Sequence, residues 1–294
     1  MLRAALALLA AALLTGGCGE REGPTEPYPS PTPILYEIVS GDGQIEGWLF
    51  GTIHALPAGT EWRTAQIDAI VERADSLVVE AIPPGGGEPG PSAFARLAYS
   101  DGQAPLTGKV PAALRPRLAE MLADGGLDDS GFERTETWAA AIILAQAVRV
   151  GDAANGVDRA LIGMFSRGPM IELEGVANQL AIFDRLPERE QRDMLAAVVS
   201  DYARRKKEPD RLIRLWLAGD ADALESEFDH GMLADPELYE ALLAGRNRAW
   251  GERLGEMLRS DTRPLIAVGA AHLLGEDGLV RMLEDAGFTL RRIH

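Results

Sequence analysis

Two segments near opposite ends of the chain constrain the fold most. WLFGTIHALP (residues 48–57) and LIAVGAAHLL (residues 265–274) each carry a short apolar run into a glycine, with a histidine three residues on. Each is followed by a turn, a stretch of helical apolar spacing expected to make about three turns, and a second β-rich run. That run is SLVVEAI after the first and FTLRRI after the second. This is a degenerate internal repeat of the form strand–GxxH–helix–strand. Strands that alternate with helices pair in parallel and take helices on their faces, so the pattern predicts an α/β fold around a central mixed sheet. An α+β arrangement also fits.

The remaining chain fills in around these units. ILYEIVS, Gly41-Asp42-Gly43 and IEGWLFG read as a β-hairpin. A helix from near Thr60 shows one apolar face, Ile67, Ile70, Val71 and Ala74, and leads into the strand Ser76 to Ile82. PPGGGEPGP then marks a loop. Residues 111–260 form a largely helical insert. Leu114, Leu118, Met121 and Leu122 make one face, and Glu136 to Val150 is apolar nearly all round, as a central helix is. A helix over Val157 to Phe165 precedes a strand, PMIELE, ending near Glu174. Amphipathic segments follow at 176–186, 188–206, 209–218 and 236–259, the last with Asp235 as its N-cap. The basic run Arg204 to Lys207 reads as a solvated helix end. The end of the chain gives a strand at Pro264 to Val268, a helix from Gly275 to Asp285 and a strand from Phe288 to Ile293.

Composition matters at two points. With 46% hydrophobic and 25% charged residues in 294, the chain has ordinary globular composition. Its net charge of −16 argues against duplex nucleic acid or an anionic membrane surface as the main partner, because either would repel it. The first 18 residues hold Arg3, an apolar run from Ala4 to Leu14 and then Thr15-Gly16-Gly17-Cys18. That run is too short to span a bilayer and reads as a signal peptide. The segment resembles a bacterial lipobox, which implies lipid anchoring at Cys18, the only cysteine, and a place in the cell envelope, facing the periplasm or the surface. Residues 19–33 are rich in proline and read as a linker. The folded domain is expected at 34–294.

The chemistry is expected where the two repeats meet. If their strands lie side by side and parallel, His54 and His272 converge on one carboxyl edge of the sheet, where open α/β sheets bind ligands. Gly51 and Gly269 would let the backbone turn or approach a ligand closely. Glu80 is the one charge in an otherwise apolar strand. Two imidazoles and a carboxylate suit a divalent transition metal, whose bonds near 2 Å would require the three side chains within about 5 Å of each other. His230 and His294 read as structural or incidental.

With these motifs the chain resembles the TraB/GumN family, which is related to the Tiki-type proteases. LFGTIHALP and VGAAHLL are similar to its two GxxH motifs, and VVE, with Glu80, to its glutamate-bearing strand. Gly156-Val157-Asp158, IELEGVANQLAIFDRLPEREQ, Trp216 to Asp220 and Arg246 to Trp250 are similar to its middle and later segments. Gly175 and Asn178 depart from the pattern, which often has a hydroxyl residue and a glutamate there. The resemblance spans 34–294. It implies a mixed sheet with a helical insert and a metal centre on His54, His272 and Glu80. Asp158, Glu174, Arg246 and Asn247 become candidates for supporting or substrate-side roles.

Two functional readings follow. One is an envelope-anchored metal-dependent hydrolase, most simply a peptidase acting on peptide or protein substrates. Glu80 or Glu174 would act as general base and Arg246 would stabilise an oxyanion. The chain has neither HExxH nor G-x-S-x-G. The other is a non-catalytic lipoprotein binding a peptide, a pheromone-like ligand or haem in the same crevice.

Overall fold

The computed structural model describes residues 26–83 and 93–293. The signal peptide, Cys18, all but the first residue of the PPGGGEPGP loop, and His294 lie outside the described residues. Six strands form one sheet: β1 (Leu35–Val39), β2 (Ile45–Thr52), β3 (Ser76–Val79), β4 (Met170–Glu172), β5 (Pro264–Gly269) and β6 (Thr289–Arg292). Their order is β4-β3-β5-β2-β1-β6. β2 pairs with β5, β5 with β3, and β3 with β4, all in parallel. β1 runs antiparallel to both β2 and β6, so it alone opposes the others. The architecture is the expected mixed α/β sheet, and the two GxxH strands are adjacent and parallel at its centre.

The longer helices are α1 (Ala65–Arg73), α2 (Arg115–Gly125), α3 (Thr137–Val148), α4 (Val157–Met164), α5 (Val176–Asp184), α6 (Glu188–Lys207), α7 (Arg211–Ala218), α8 (Gly245–Met257) and α9 (Leu279–Asp285). Strand residues alternate between the two faces of the sheet. Trp48, Phe50, Leu77, Val79, Leu265 and Ala267 pack with α1, α4 and α7. Leu49, Val78, Ile266 and Val268 pack with α8 and α9 on the opposite side. Both faces are covered, which is why these strands read as continuous apolar runs. The insert has its own core, centred on α3, where Trp138, Ala139, Ala140, Ala141 and Leu144 are buried against α2 and α6.

Four local expectations change. The second repeat is shorter than its apolar spacing suggests: Ala270–Leu273 is a 3-10 turn, and α9 starts only at Leu279 after the Gly275–Gly278 turn. The strand containing Glu80 ends at Val79, because Glu80's carbonyl turns to accept the backbone N–H groups of Glu174 and Gly175 (3.0 and 3.1 Å). The helix expected over 236–259 is interrupted: a short helix (Pro236–Tyr239) passes through a π-helical turn (Glu240–Ala244) into α8. The basic run at the end of α6 is ion-paired rather than only solvated. Arg204 and Arg205 clamp Asp201, and Lys206 meets Glu120 and Asp124.

Residues 26–33 are docked on the body. Arg214 of α7 donates to the carbonyls of Glu26 and Pro27 and lies over the Tyr28 ring, while Thr32 N–H donates to Leu217 (2.7 Å). Among the described residues, no helix is long and apolar enough to cross a membrane.

Candidate functional site

The carboxyl ends of β2, β3, β4 and β5 open onto one crevice, and each supplies a polar group there. The register between β2 and β5 sets Gly51 opposite Val268 and Thr52 opposite Gly269, so the two motifs are offset by one rung. Their glycines let the motifs interlock. A Cβ on Gly51 would sit 3.1 Å from the Cα of Ala270, and one on Gly269 would sit 3.2 Å from Glu80 Oε1 and 3.4 Å from His54 Nε2. Trp216 Nε1 donates to the Gly51 carbonyl (2.8 Å) and anchors the end of β2. Trp216 belongs to a segment singled out in the sequence, but its role appears only in the fold.

His54 leaves β2 on a bend tied to the start of α4. Val157 N–H donates to the Ile53 carbonyl (2.9 Å), which brings Asp158 beside the imidazole. Asp158 Oδ2 lies 2.8 Å from His54 Nδ1, and its Oδ1 accepts the Thr52 hydroxyl. Enclosure by the crevice pulls the His54 pKa down, but the charge and hydrogen bond of Asp158, with Glu80 behind, outweigh it and raise it to about 9. The side chain is nonetheless 66% exposed, so water screens this pair substantially.

His272 is the opposite case. It is 5% exposed, and its Nδ1 lies 2.6 Å from Asn247 Oδ1. Asn247 is fully buried and spends its amide on the carbonyls of His272 and Asp277 (3.2 and 2.7 Å), so its oxygen is left to accept from Nδ1–H. That tautomer leaves a lone pair on Nε2. Burial chiefly, with Arg246 added, pushes the His272 pKa down to about 4, so the ring is neutral at pH 7. Trp250 packs against it at 4.5 Å between ring centroids.

Glu80 lies between them, 7% exposed. Oε1 accepts Gly269 N–H (2.8 Å), and Oε2 accepts Arg246 (2.8 Å) and Gln179 Nε2 (2.9 Å). Burial would raise its pKa; His272, His54, Arg246 and the Gly269 N–H together hold it down near 2. Because His272 is neutral at pH 7, Arg246 and His54 supply the positive charge there. Gln179 was not singled out in the sequence; its position in the Gln-containing helix after Glu174 was the available signal.

Arg246 is the residue around which the crevice closes. It makes a bidentate pair with Glu174 (2.9 and 3.0 Å), bonds Glu80, and places one guanidinium nitrogen 3.1 Å from His272 Nε2. Its face lies over Trp250, 4.6 Å from the ring centroid, and it also donates to the Leu242 carbonyl within the π turn (2.9 Å). That turn shifts the hydrogen-bond register one residue ahead of the arginine, a device common at functional sites. Glu174 is thus engaged by Arg246 rather than free to act as a base. Gly175 has φ of +82°, a conformation open to glycine and strained for the hydroxyl residue expected there, and Asn178 Nδ2 donates back to the Glu174 carbonyl (2.9 Å).

The donor set suits a divalent transition metal in kind. Each imidazole has its Nδ1 engaged by an oxygen (Asp158 or Asn247) and turns Nε2 inward, as metal-bound histidines do. The distances are met only in part. Glu80 Oε1 and His272 Nε2 are 3.9 Å apart, but His54 does not join them to bring all three ligand atoms within 4.8 Å. Arg246 stands at the inner nitrogen of His272.

Two curated relatives are similar over most of their length. YbaP of Escherichia coli (strain K12), an uncharacterized protein, is 28% identical over 240 residues, which is 80% of this chain and 86% of the relative. YbaP of Shigella flexneri, also uncharacterized, is 27% identical over 246 residues, 82% and 89% of the two chains. No solved structure matches the chain. All the strands, both GxxH motifs and the crevice fall within the residues matched by the family's sequence pattern, 34–292, and the chain belongs to the TraB/PrgY/gumN family.

Proposed function

We propose that this protein is a metal-dependent hydrolase, acting on peptide bonds, held at the cell envelope by a lipid at Cys18. The observation that carries the reading is the pair of inward-facing Nε2 atoms just beyond the ends of adjacent parallel strands, each imidazole oriented by its own partner, with Glu80 between them. His54, His272 and Glu80 would hold the metal, which when bound lowers the pKa of a water and polarises a carbonyl. Asp158 and Asn247 hold the ring orientations. Arg246 keeps Glu80 and Glu174 charge-balanced, and has to give up its contact with His272 for that nitrogen to serve as a ligand. Glu174, already its bidentate partner, is the group that would keep it.

The test is a peptide-library digest of the purified protein, with and without chelator, beside metal titration. Wild type should cleave only when metal-loaded, and His54→Ala/His272→Ala should bind no metal. Asp158→Asn should weaken binding roughly 10–100-fold. No cleavage with any divalent metal would leave the crevice as a binding site, the second reading of the sequence. A Cys18→Ala variant should move from the membrane to the soluble fraction after cell lysis; continued membrane partitioning would remove the anchor.

A further inference from the structure

A second polar cluster lies outside the histidine crevice. Among the described residues, Glu190, Asp235 and Glu237 offer carboxylate oxygens all within 4.8 Å of one another. Glu190 lies in the first turn of α6, Asp235 caps the short helix Pro236–Tyr239, and Glu237 sits in that helix's first turn. Helix N-termini attract carboxylates without any ligand, because free N–H groups and the dipole favour negative charge there. Asp235 fits that explanation: its Oδ1 accepts the N–H groups of Glu237 and Leu238, both at 3.0 Å.

Glu190 does not fit it. The residue is 7% exposed, and its Oε2 is sealed from solvent with no hydrogen-bond partner. Its other oxygen meets only Arg189, whose side chain is 68% exposed and also reaches Asp193 (3.6 Å) and Glu237 (3.7 Å). The three carboxylates of the cluster set against this one exposed guanidinium, itself shared with Asp193, leave at least two negative charges in place. A buried carboxylate oxygen without a donor calls for an ion or an ordered water.

We propose that Glu190, Asp235 and Glu237 bind a hard divalent cation of the Ca²⁺ type. Ca²⁺ takes about six to eight oxygen ligands in flexible geometry, so three carboxylates from two helices can supply part of its shell, whereas Mg²⁺ demands a near-ideal octahedron and gives up its waters reluctantly. The cluster holds neither histidine nor cysteine, so transition metals that favour the crevice have little to hold here. The bound ion bridges the start of α6 to the short helix that runs through the π turn to Arg246. Met194 and Leu238, both buried in the insert's core, already pack that junction.

The test is equilibrium dialysis with ⁴⁵Ca²⁺ on chelator-stripped full-length protein, read beside melting temperature in Ca²⁺ and Mg²⁺. Wild type should bind one equivalent of Ca²⁺, melt higher as Ca²⁺ saturates it, and respond more weakly to Mg²⁺. Glu190→Gln should lose both responses. Glu237→Gln, at a side chain 55% exposed and therefore tolerant of change, should weaken Ca²⁺ about tenfold even if the Glu190 variant fails to fold. His54→Ala/His272→Ala should keep the Ca²⁺ response, which separates this site from the crevice. The proposal is overturned if wild type binds no Ca²⁺, if the Glu237 variant binds as tightly as wild type, or if the histidine variant abolishes the binding.

Discussion

In metal-free buffer, Arg246→Met should unfold far more easily than wild type, by about 3–5 kcal/mol, the usual cost of removing one partner from a buried ion pair. In a domain of this size that lowers the melting temperature by on the order of 10 °C. Arg246 balances two carboxylates at once, with the side chains of Glu80 and Glu174 only 8% and 13% exposed. Methionine fills the space but takes the bidentate partner from Glu174 and leaves Glu80 with only His54 and the Gly269 and Gln179 hydrogen bonds. Adding Glu174→Gln to Arg246→Met should recover part of the loss, because the two changes share a contact and do not add. A divalent transition metal should also restore the single variant, and bind it at least tenfold more tightly than wild type, since the cation and the guanidinium compete for Glu80 and His272 Nε2. Urea melts with and without metal measure both effects. Equal metal affinity in the two proteins would show that Arg246 and a metal do not compete, and would remove the displacement of Arg246 from the proposed function.

How legible this crevice was in the sequence depended on how each residue reaches it. His54 and His272 were findable because strand periodicity and the repeated glycine placed both at strand ends, and adjacency of the two strands did the rest. Glu80 stood out as a lone charge in a buried run. Asp158 beside His54, and Asn247 beside His272, were suggested only through the family pattern, since each is brought in by a helix, α4 or α8, that packs against a segment distant in the chain. The central placement of Arg246 was invisible. It depends on a π turn, a slip in backbone hydrogen bonding that leaves the apolar spacing of 236–259 looking like one plain helix. The helix expected from Gly275 starts only at Leu279, because Gly275 to Gly278 close a turn that apolar spacing does not reveal. The open and buried histidines could not be told apart either, because burial comes from α8 and Trp250 packing over His272 and leaving His54 uncovered.

That difference predicts an acid-sensitive fold whose sensitivity divides between two residues. His272 has its pKa lowered to about 4, below its unfolded value of 6.5, so between these values the unfolded chain binds the proton first. Its stabilising contribution is complete above pH 6.5 and is lost as pH falls toward 4. Glu80, held down to about 2 against 4.5 unfolded, contributes fully above pH 4.5 and loses that contribution as pH falls through 2. Each contribution is on the order of a few kcal/mol, and the two are not independent, because Glu80 and His272 face each other. His54 acts in the other direction: raised to about 9, it favours the fold below pH 6.5 and ceases to do so as pH rises through 9. With 66% of its side chain in water, that alkaline effect should be small. Denaturant melts across pH should therefore show stability greatest near neutrality and falling in two steps on the acid side. His272→Asn, whose amide can still donate to Asn247, should flatten the step between pH 6.5 and 4; Glu80→Gln should flatten the one below pH 4.5. The two sites lie 3.9 Å apart, so the double variant should differ from the sum of the singles. If wild-type stability stayed level from pH 6.5 to 4, His272 would titrate in the folded protein as it does in the unfolded chain, and the burial argued to keep its ring neutral through mild acid would be overturned.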